Sequence, residues 1–376
     1  MGLSNQIYRH LIESAKEQRR PITVNFELTP ICNLNCKMCY ICSSAEEIYC
    51  SGKRLKTADE WLNIADELRE MDTLFLLLTG GEVFLYPEFK KLYLGLYKKG
   101  FALTINTNAT MIDENIVSWL KCYPPKCLSV SLYGASNETY EALCGRKNMF
   151  SRVDYALRLL KNSGLTVECK TIFTPLNVRD REACWDYVQN LKIPYETSSY
   201  SFPPDRKLVR KEQIRFTPEE AVKCNFECNR MMSDENGFKN NIVQYLKKYE
   251  DTKDIPGSEH RGLSCSATNS SCWITWEGHM TPCAILDSPY TLPFEKGVQN
   301  AWEELKANAD KLVISSECSY CKKRNICTVC PAAAYAETGR IDGKSIYHCK
   351  MTDLTLEHMN QYTRGWLREK KNTKES

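Results

Sequence analysis

Three cysteines at close spacing constrain this chain more than any other feature of its sequence. Cys32, Cys36 and Cys39 form a C-x3-C-x2-C arrangement directly after an apolar, strand-like run at 22–28. Cysteine thiolates hold iron–sulfur clusters, and a four-iron cubane takes one ligand for each iron. Three local thiolates would leave one iron open to an exchangeable ligand, as at a catalytic metal site. The alternatives are a structural zinc site, which normally pairs C-x-x-C units, and three unrelated core thiols.

The triad, followed by the aromatic Tyr40, resembles the signature of the radical S-adenosylmethionine (SAM) enzymes. The resemblance implies that the three cysteines hold a [4Fe–4S] cluster whose open iron chelates SAM. It also implies that the reduced cluster cleaves SAM to a 5′-deoxyadenosyl radical, which abstracts hydrogen from an unactivated C–H bond. The cofactor carries the difficult chemistry, and the protein supplies position and excludes water. The chain is therefore expected to be an enzyme, a radical SAM oxidoreductase.

Strand-like runs alternate with helical patterns up to Pro203–Pro204, which is expected to close a domain spanning 1–205. Six such units predict parallel strands with right-handed crossovers. Periodicity alone fits either a barrel or a doubly wound open sheet. The resemblance favours an α/β fold with a partial (β/α)6 TIM-like barrel and a site at the carboxyl ends of its strands. The predicted strands are 22–28, 74–78, 101–106, 128–133, 166–173 and 195–201.

Glycine and polar residues follow these strands where the family binds SAM. A Gly-Gly-Glu turn ends at Glu82, and its glycines would let the backbone approach a ligand closely. The Glu82 carboxylate could accept hydrogen bonds from the SAM ammonium group. Taken singly, such residues often only satisfy strand ends. The resemblance implies SAM contacts at Tyr40, Gly80, Gly81, Glu82, Asn106, Asn108, Ser131 and Arg146.

One of these positions departs from the family pattern. Related enzymes often carry Arg-Gly after the fourth strand, whereas this chain has Cys144-Gly145 followed by Arg146. Arg146 is therefore the candidate to supply the guanidinium that the family has at Cys144.

The second half of the chain is rich in cysteine. The chain has 20 cysteines and no apolar export signal, so metal binding is a better interpretation than disulfides. A Gly278-x4-Cys283 element and a C-x2-C-x5-C-x2-C element resemble the SPASM extension of radical SAM enzymes. The resemblance implies one auxiliary cluster on Cys265, Cys272, Cys283 and Cys330, and another on Cys318, Cys321, Cys327 and Cys349.

These ligand sets give three [4Fe–4S] clusters in all. Structural zinc is the alternative for the C-terminal sets, since thiolates bind either metal. The expected organisation is the barrel at 1–205, a helical connector at 206–262, the SPASM domain at 263–350, and a C-terminal helix and tail at 351–376. Most of the remaining cysteines are expected to be small core residues. Cys42, beside the triad, is a candidate hydrogen-atom donor.

Charge and hydropathy exclude several partner classes. The net charge of the 376 residues is +3, which indicates no polyanionic partner such as nucleic acid. No apolar run reaches the ~20 residues that a membrane helix needs. The chain is therefore expected to be cytoplasmic.

The SPASM resemblance implies a peptide substrate, which would be cross-linked, epimerised or oxidised. The alternatives are dehydrogenation of an amino sugar or tetrapyrrole, and sulfatase formylglycine maturation. Ala284 argues against the last, because formylglycine-forming enzymes carry an Asp there as general base. A non-enzymatic iron–sulfur redox or sensor scaffold is a further alternative.

Two protein partners are implied by the same resemblance. An electron donor such as ferredoxin or flavodoxin would reduce the first cluster. Only about 20 residues precede the first strand, too few for a domain that binds a leader peptide. A separate leader-peptide-binding protein could therefore take part.

Overall fold

The computed structural model describes residues 3–41, 43–202, 214–258 and 262–372. Cys42 and the predicted boundary at Pro203–Pro204 lie outside these residues. Within them, eight strands form a single sheet in the order β6-β5-β4-β3-β2-β1-β7-β8. The strands are β1 (Thr23–Glu27), β2 (Phe75–Thr79), β3 (Ala102–Thr107), β4 (Cys127–Ser131), β5 (Val167–Ile172), β6 (Tyr195–Ser198), β7 (Ser271–Ile274) and β8 (Met280–Thr281).

Strands β1 to β6 are parallel to their neighbours, and the sheet does not close on itself. This confirms the predicted partial barrel. Successive side chains of a strand point to opposite faces of the sheet. Val24 and Phe26 of β1 are fully buried on the face that packs against the helices. The ring of Phe26 lies 4.6 Å from that of the buried Trp61, centroid to centroid. The opposite face of the strands lines the open interior of the barrel.

Fifteen helices occur in the described residues. They are α1 (Leu3–Glu17), α2 (Ala45–Cys50), α3 (Ala58–Glu70), α4 (Phe89–Lys98), α5 (Glu114–Cys122), α6 (Asn137–Cys144), α7 (Met149–Asn162), α8 (Arg181–Leu191), α9 (Pro218–Met232), α10 (Glu235–Thr252), α11 (Pro293–Lys296), α12 (Val298–Ala309), α13 (Ser316–Ser319), α14 (Pro331–Thr338) and α15 (Ile346–Asn372). None of these helices is long and apolar enough to cross a membrane.

Local sequence fixes where the barrel helices begin. At the start of α3 the Thr57 hydroxyl accepts a hydrogen bond from the Glu60 amide, and the Glu60 carboxylate accepts one from the Thr57 amide. This reciprocal capping box satisfies two backbone donors that the first turn would otherwise leave unpaired. Behind it Trp61, Ile64 and Leu68 form the buried stripe that packs onto the sheet.

The C-terminal part of the chain adds two strands to the barrel sheet. β7 pairs in parallel with β1, and β8 pairs antiparallel with β7. Side chains reinforce the backbone ladder, because the Asn25 amide donates to the Cys272 carbonyl at 2.9 Å. The Trp273 indole donates to the Glu27 carboxylate, also at 2.9 Å. The cysteine-rich region is thus joined directly to the first barrel strand.

Candidate functional site

The triad loop leaves β1 at the carboxyl edge of the sheet. Cys36 is buried, Cys32 and Cys39 are half-buried, and all three thiols line one cavity of about 400 Å³. Burial raises the pKa of Cys32, and the neighbouring Cys36, Glu82 and Cys39 raise it further. A free thiol is therefore favoured there until a cation arrives to stabilise the thiolate.

Hydrogen bonds to the Cys32 sulfur suit a cluster ligand. The Leu34 amide donates to Cys32 Sγ at 3.4 Å, and Asn108 Nδ2 donates to it at 3.6 Å. Bonds of this kind tune iron–sulfur centres. Among the described residues, no three or more His, Cys, Asp or Glu side chains are grouped to hold a single metal ion. A cubane makes a different demand, since each thiolate binds its own iron, and the triad fits that demand.

The glycine turn after β2 packs tightly against the triad loop. Gly81 N donates to Thr29 O at 2.6 Å, and Glu82 N donates to Ile31 O at 2.9 Å. A Cβ on Gly80 would lie 2.4 Å from Thr29 O, and one on Gly81 would lie 2.2 Å from Ile31 O. Gly80 also has a φ of +150°. Both positions therefore need glycine for this close approach. Both glycines line the cavity.

Glu82 itself is fully buried and engaged within the fold. Its carboxylate accepts hydrogen bonds from Thr107 Oγ1 at 2.7 Å, Asn108 N at 2.8 Å and Phe84 N at 3.3 Å. Burial raises its pKa to about 7, although these hydrogen bonds oppose the rise. Glu82 is thus hydrogen-bonded to the end of β3, and it is not among the residues that line the cavity.

The other predicted SAM contacts divide into two groups. Tyr40, Asn106, Asn108 and Ser131 line the same cavity as the triad, so the structure brings them together. Arg146 follows Gly145 at the end of α6, is exposed, and is not among the lining residues. Cys144, which stands where the family has arginine, is fully buried.

The part of the cavity lined by β5 and β6 carries charges that the sequence analysis missed. Lys170 of β5 and Glu196 of β6 line the cavity. Lys170 Nζ lies 3.1 Å from Glu196 Oε2 and 3.2 Å from Glu168 Oε1. The available signal was a glutamate and a lysine, Glu168 and Lys170, at alternate positions of a barrel strand.

The first predicted auxiliary set is brought together only in part. Burial raises the pKa of Cys283, and the nearby Cys330 and Cys265 raise it further. Backbone amides donate to two of these sulfurs at 3.4 Å, from Ala267 to Cys265 and from Ala333 to Cys330. Cys272 instead lies on β7, in register with Val24, and is buried in the barrel core. Burial alone raises its pKa, whereas Cys330 and Cys265 also act on that of Cys283.

The second predicted set is brought together completely. Cys318, Cys321, Cys327 and Cys349 line one cavity of about 300 Å³. Burial raises the pKa of Cys318, and Cys349, Cys327 and Cys321 raise it further. The Lys323 amide donates to Cys321 Sγ at 3.4 Å. Four converging thiols with such a donor fit an iron–sulfur cluster.

Comparison with known proteins identifies the barrel. The radical SAM superfamily profile matches residues 26–190, which run from β1 to the end of α8. The subtilosin biosynthesis protein AlbA of Bacillus subtilis is 25% identical over 293 residues, which are 77% of this chain and 61% of AlbA. The chain thus spans less than two thirds of AlbA. The AdoMet-dependent heme synthase of Methanosarcina barkeri is 24% identical over 339 residues, 85% of this chain and 93% of that protein.

A solved structure shares the fold. Streptococcus suis SuiB, crystallised with its precursor peptide SuiA, superposes with a TM-score of 0.65 at 17% identity. The match covers 92% of this chain and 80% of SuiB. Profile, relatives and fold agree with the cysteine triad at the carboxyl edge of a partial barrel. The chain therefore carries a radical SAM domain at residues 26–190, and beyond that domain it is similar to AlbA and the heme synthase over most of its length.

Proposed function

We propose that this chain is a radical SAM/SPASM peptide maturase that uses SAM to abstract a hydrogen atom from a ribosomally made peptide. The observation that carries the proposal is one cavity lined by Cys32, Cys36 and Cys39 together with the Gly80–Gly81 turn, Asn106 and Ser131. When bound, the reduced [4Fe–4S] cluster and SAM would supply the radical. The protein's own residues hold these groups and shape the space beside them.

Two further groups of thiols support a modification that removes electrons. After hydrogen abstraction, cross-linking or oxidation must lose one more electron, which an iron–sulfur centre can accept. The sets around Cys283 and around Cys318 are the candidate auxiliary sites. Epimerisation would instead need a hydrogen donor. A ferredoxin or flavodoxin is the proposed source of the initiating electron.

The names of similar proteins favour a peptide. AlbA takes part in the biosynthesis of a bacteriocin, and SuiB was crystallised with its precursor peptide.

A tetrapyrrole is the second candidate, because the M. barkeri heme synthase aligns over 93% of its own length. The charges of the cavity oppose it. Lys170 is the one cation among the described lining residues, and it already pairs with Glu196 and Glu168. A substrate bearing several carboxylates would find little to neutralise them.

The deciding experiment incubates the reconstituted protein with SAM and reductant under anaerobic conditions. The candidate substrates are peptides encoded beside its gene and, in parallel, iron-porphyrin precursors. We expect 5′-deoxyadenosine together with a peptide altered in mass, and neither from Cys36→Ala. Oxidative closure would remove a pair of hydrogens, whereas epimerisation in D2O would add one deuterium. Turnover of a porphyrin with every peptide unchanged would overturn the peptide assignment.

A further inference from the structure

Three side chains meet at one buried carboxylate between the barrel and the cysteine-rich region. Glu337 of α14 has 6% of its side chain exposed and pairs with Arg215, whose side chain is 15% exposed. The pair is bidentate: Arg215 Nη1 donates to Glu337 Oε1 at 2.6 Å, and Nη2 donates to Oε2 at 2.8 Å. The Tyr200 hydroxyl donates to the same Oε1 at 2.7 Å. Glu337, Arg215 and Tyr200 together form the Glu337 clamp.

The clamp is strong because its carboxylate is charged and shielded from water. Burial acts to raise the pKa of Glu337, but the hydrogen bonds from Arg215 and Tyr200 outweigh it and lower the pKa. A bidentate guanidinium–carboxylate pair fixes direction as well as distance. Removing one partner of a buried pair leaves an uncompensated charge, which is costly. The nearby Arg340–Asp342 pair differs, since its side chains are 72% and 55% exposed and such pairs contribute little.

Tyr200 joins the clamp to the barrel cavity. It lies just after β6, and its backbone amide donates to Ser198 Oγ at 3.3 Å. The Ser198 hydroxyl donates back to the Tyr200 carbonyl at 3.1 Å. Ser198 lines the cavity that contains the cysteine triad. The clamp is therefore attached to the wall of that cavity through the turn from Ser198 to Tyr200.

Helix α14 joins the clamp to the first auxiliary thiol set. Cys330 is the N-cap of this helix, and its sulfur accepts a hydrogen bond from the Ala333 amide at 3.4 Å. Glu337 lies near the other end, about 10 Å from Cys330 along the helix axis. Because a short regular helix moves as a unit, the contacts that hold the Glu337 carboxylate also hold Cys330.

Two ring contacts join the clamp to the second thiol set. The Arg215 guanidinium lies over the ring of Tyr347, 4.2 Å from its centroid. The Tyr200 ring meets that of His348 edge to face, with 4.8 Å between the centroids. Tyr347 and His348 directly precede Cys349 at the start of α15, and His348 lines the cavity of the second set. The clamp thus contacts the helical turn that carries Cys349.

We propose that the Glu337 clamp positions both auxiliary thiol sets relative to the barrel cavity, through Cys330 and Cys349. Glu337 and Arg215 line neither the triad cavity nor the cavity of the second set, so they act through the residues that they hold. The assignment rests on the proposed function, in which an electron lost by the substrate in the barrel is accepted at an auxiliary site. The clamp keeps the separation between these sites fixed.

The test uses the reconstituted full-length protein and two variants of the clamp. Glu337→Gln removes the charge at constant size, and Arg215→Lys keeps the charge but cannot form the bidentate pair. Asp342→Asn, which breaks the exposed pair with Arg340, is the matched control. Hydrogen exchange read by mass spectrometry reports local opening of each helix. Electron paramagnetic resonance during a potentiometric titration reports the auxiliary centres.

We expect amide exchange in α14 and in the first turn of α15 to become roughly tenfold faster or more in both variants, since a broken buried pair favours local opening. Exchange in α3 of the barrel should not change. The midpoint potential of at least one auxiliary centre should shift, whereas the triad cluster, identified by its response to SAM, should keep its potential. Asp342→Asn should alter none of these quantities. Because Arg215→Lys conserves charge, a shift in that variant reports a change of position.

Three outcomes would overturn the assignment. Exchange in α14 and α15 could stay unchanged, or it could rise while every auxiliary potential stays the same, which would leave the clamp a role in the fold alone. The potential could also shift in Glu337→Gln and not in Arg215→Lys, which would indicate an effect of charge only. If Glu337→Gln fails to fold, Arg215→Lys decides alone.

Failure of the proposed function looks different. The wild-type protein would then hold zinc in place of the auxiliary iron, or cleave SAM on reduction and alter no peptide. Hydrogen exchange in the variants would still show whether the clamp holds α14 and α15.

Discussion

The side-chain amide of Asn108 donates a hydrogen bond to Cys32 Sγ at 3.6 Å. The same amide nitrogen donates to Asn33 Oδ1 at 3.0 Å, and Asn108 Oδ1 accepts from Thr110 Oγ1 at 2.6 Å. The Asn108 backbone amide donates to the buried Glu82 carboxylate. Both polar atoms of the Asn108 side chain and its backbone amide are thus hydrogen-bonded, which fixes the orientation of the side chain. Asn108 was predicted as a SAM contact, and the structure also places its side chain against Cys32, a proposed cluster ligand.

Asn108→Ala should lower the reduction potential of the triad cluster. A donor to a ligand sulfur stabilises the more negative, reduced cluster, so its removal favours the oxidised form. The measurement is a potentiometric titration followed by electron paramagnetic resonance. Asn229→Ala, on the exposed part of α9, is the control. An unchanged or raised potential in Asn108→Ala would contradict the expectation.

Glu82→Ala should destabilise the fold as well as any SAM complex. Its carboxylate accepts from Thr107, Asn108 and Phe84, and truncation would leave buried donors unpaired. Each such group costs about 1–3 kcal/mol. Denaturant unfolding of the protein without SAM checks this. If the free energy of unfolding is unchanged while SAM binding is lost, Glu82 acts on the ligand alone.

Replacing Cys272 by Ala should leave the iron content unchanged. Its thiol lies in the barrel core on β7, and burial alone acts on its pKa, whereas Cys330 and Cys265 also act on that of Cys283. The matched variant is Cys283→Ala, which should lose iron from that site. Metal analysis after anaerobic reconstitution distinguishes them, and equal iron loss in both variants would restore Cys272 to the ligand set.

The intact protein should bind about twelve irons if all three thiol groups hold four-iron clusters. Joint replacement of Cys32, Cys36 and Cys39 by Ala should leave about eight and abolish 5′-deoxyadenosine formation. Iron and zinc are quantified together. A reconstituted protein with roughly four irons plus zinc would contradict the auxiliary clusters.

The strands of the barrel could be predicted because their signals are local. A run such as Leu76–Leu78, buried on the helix side and followed by two glycines, gives both the strand and the turn at its end. The triad was equally visible, since its ligands lie within eight residues of each other. Short amphipathic helices such as α2 and α6 were not predicted, because one or two turns give too little periodicity.

Roles that depend on the direction in which a side chain points were harder to predict. Cys272 sits among ligand-type cysteines, and only its register with Val24 shows that it points into the core. Lys170 shares β5 with Glu168, and its contact with Glu196 depends on the pairing of β5 with β6. The burial of Glu82 depends on Thr107 and Asn108, which are more than twenty residues away. Spacing along the chain carries none of this information.

The pairing of β7 with β1 limits how this protein can be divided into separately folding parts. β1 has β2 on one side and β7 on the other, and Arg19 beside it forms an ion pair with Asp310 at 2.9 Å. A truncated barrel would present an unpaired strand edge along Thr23–Phe26, which invites aggregation. The cysteine-rich region therefore cannot be exchanged between relatives as an independent cassette. A chimaera must carry β1 and its C-terminal partner strand from the same parent.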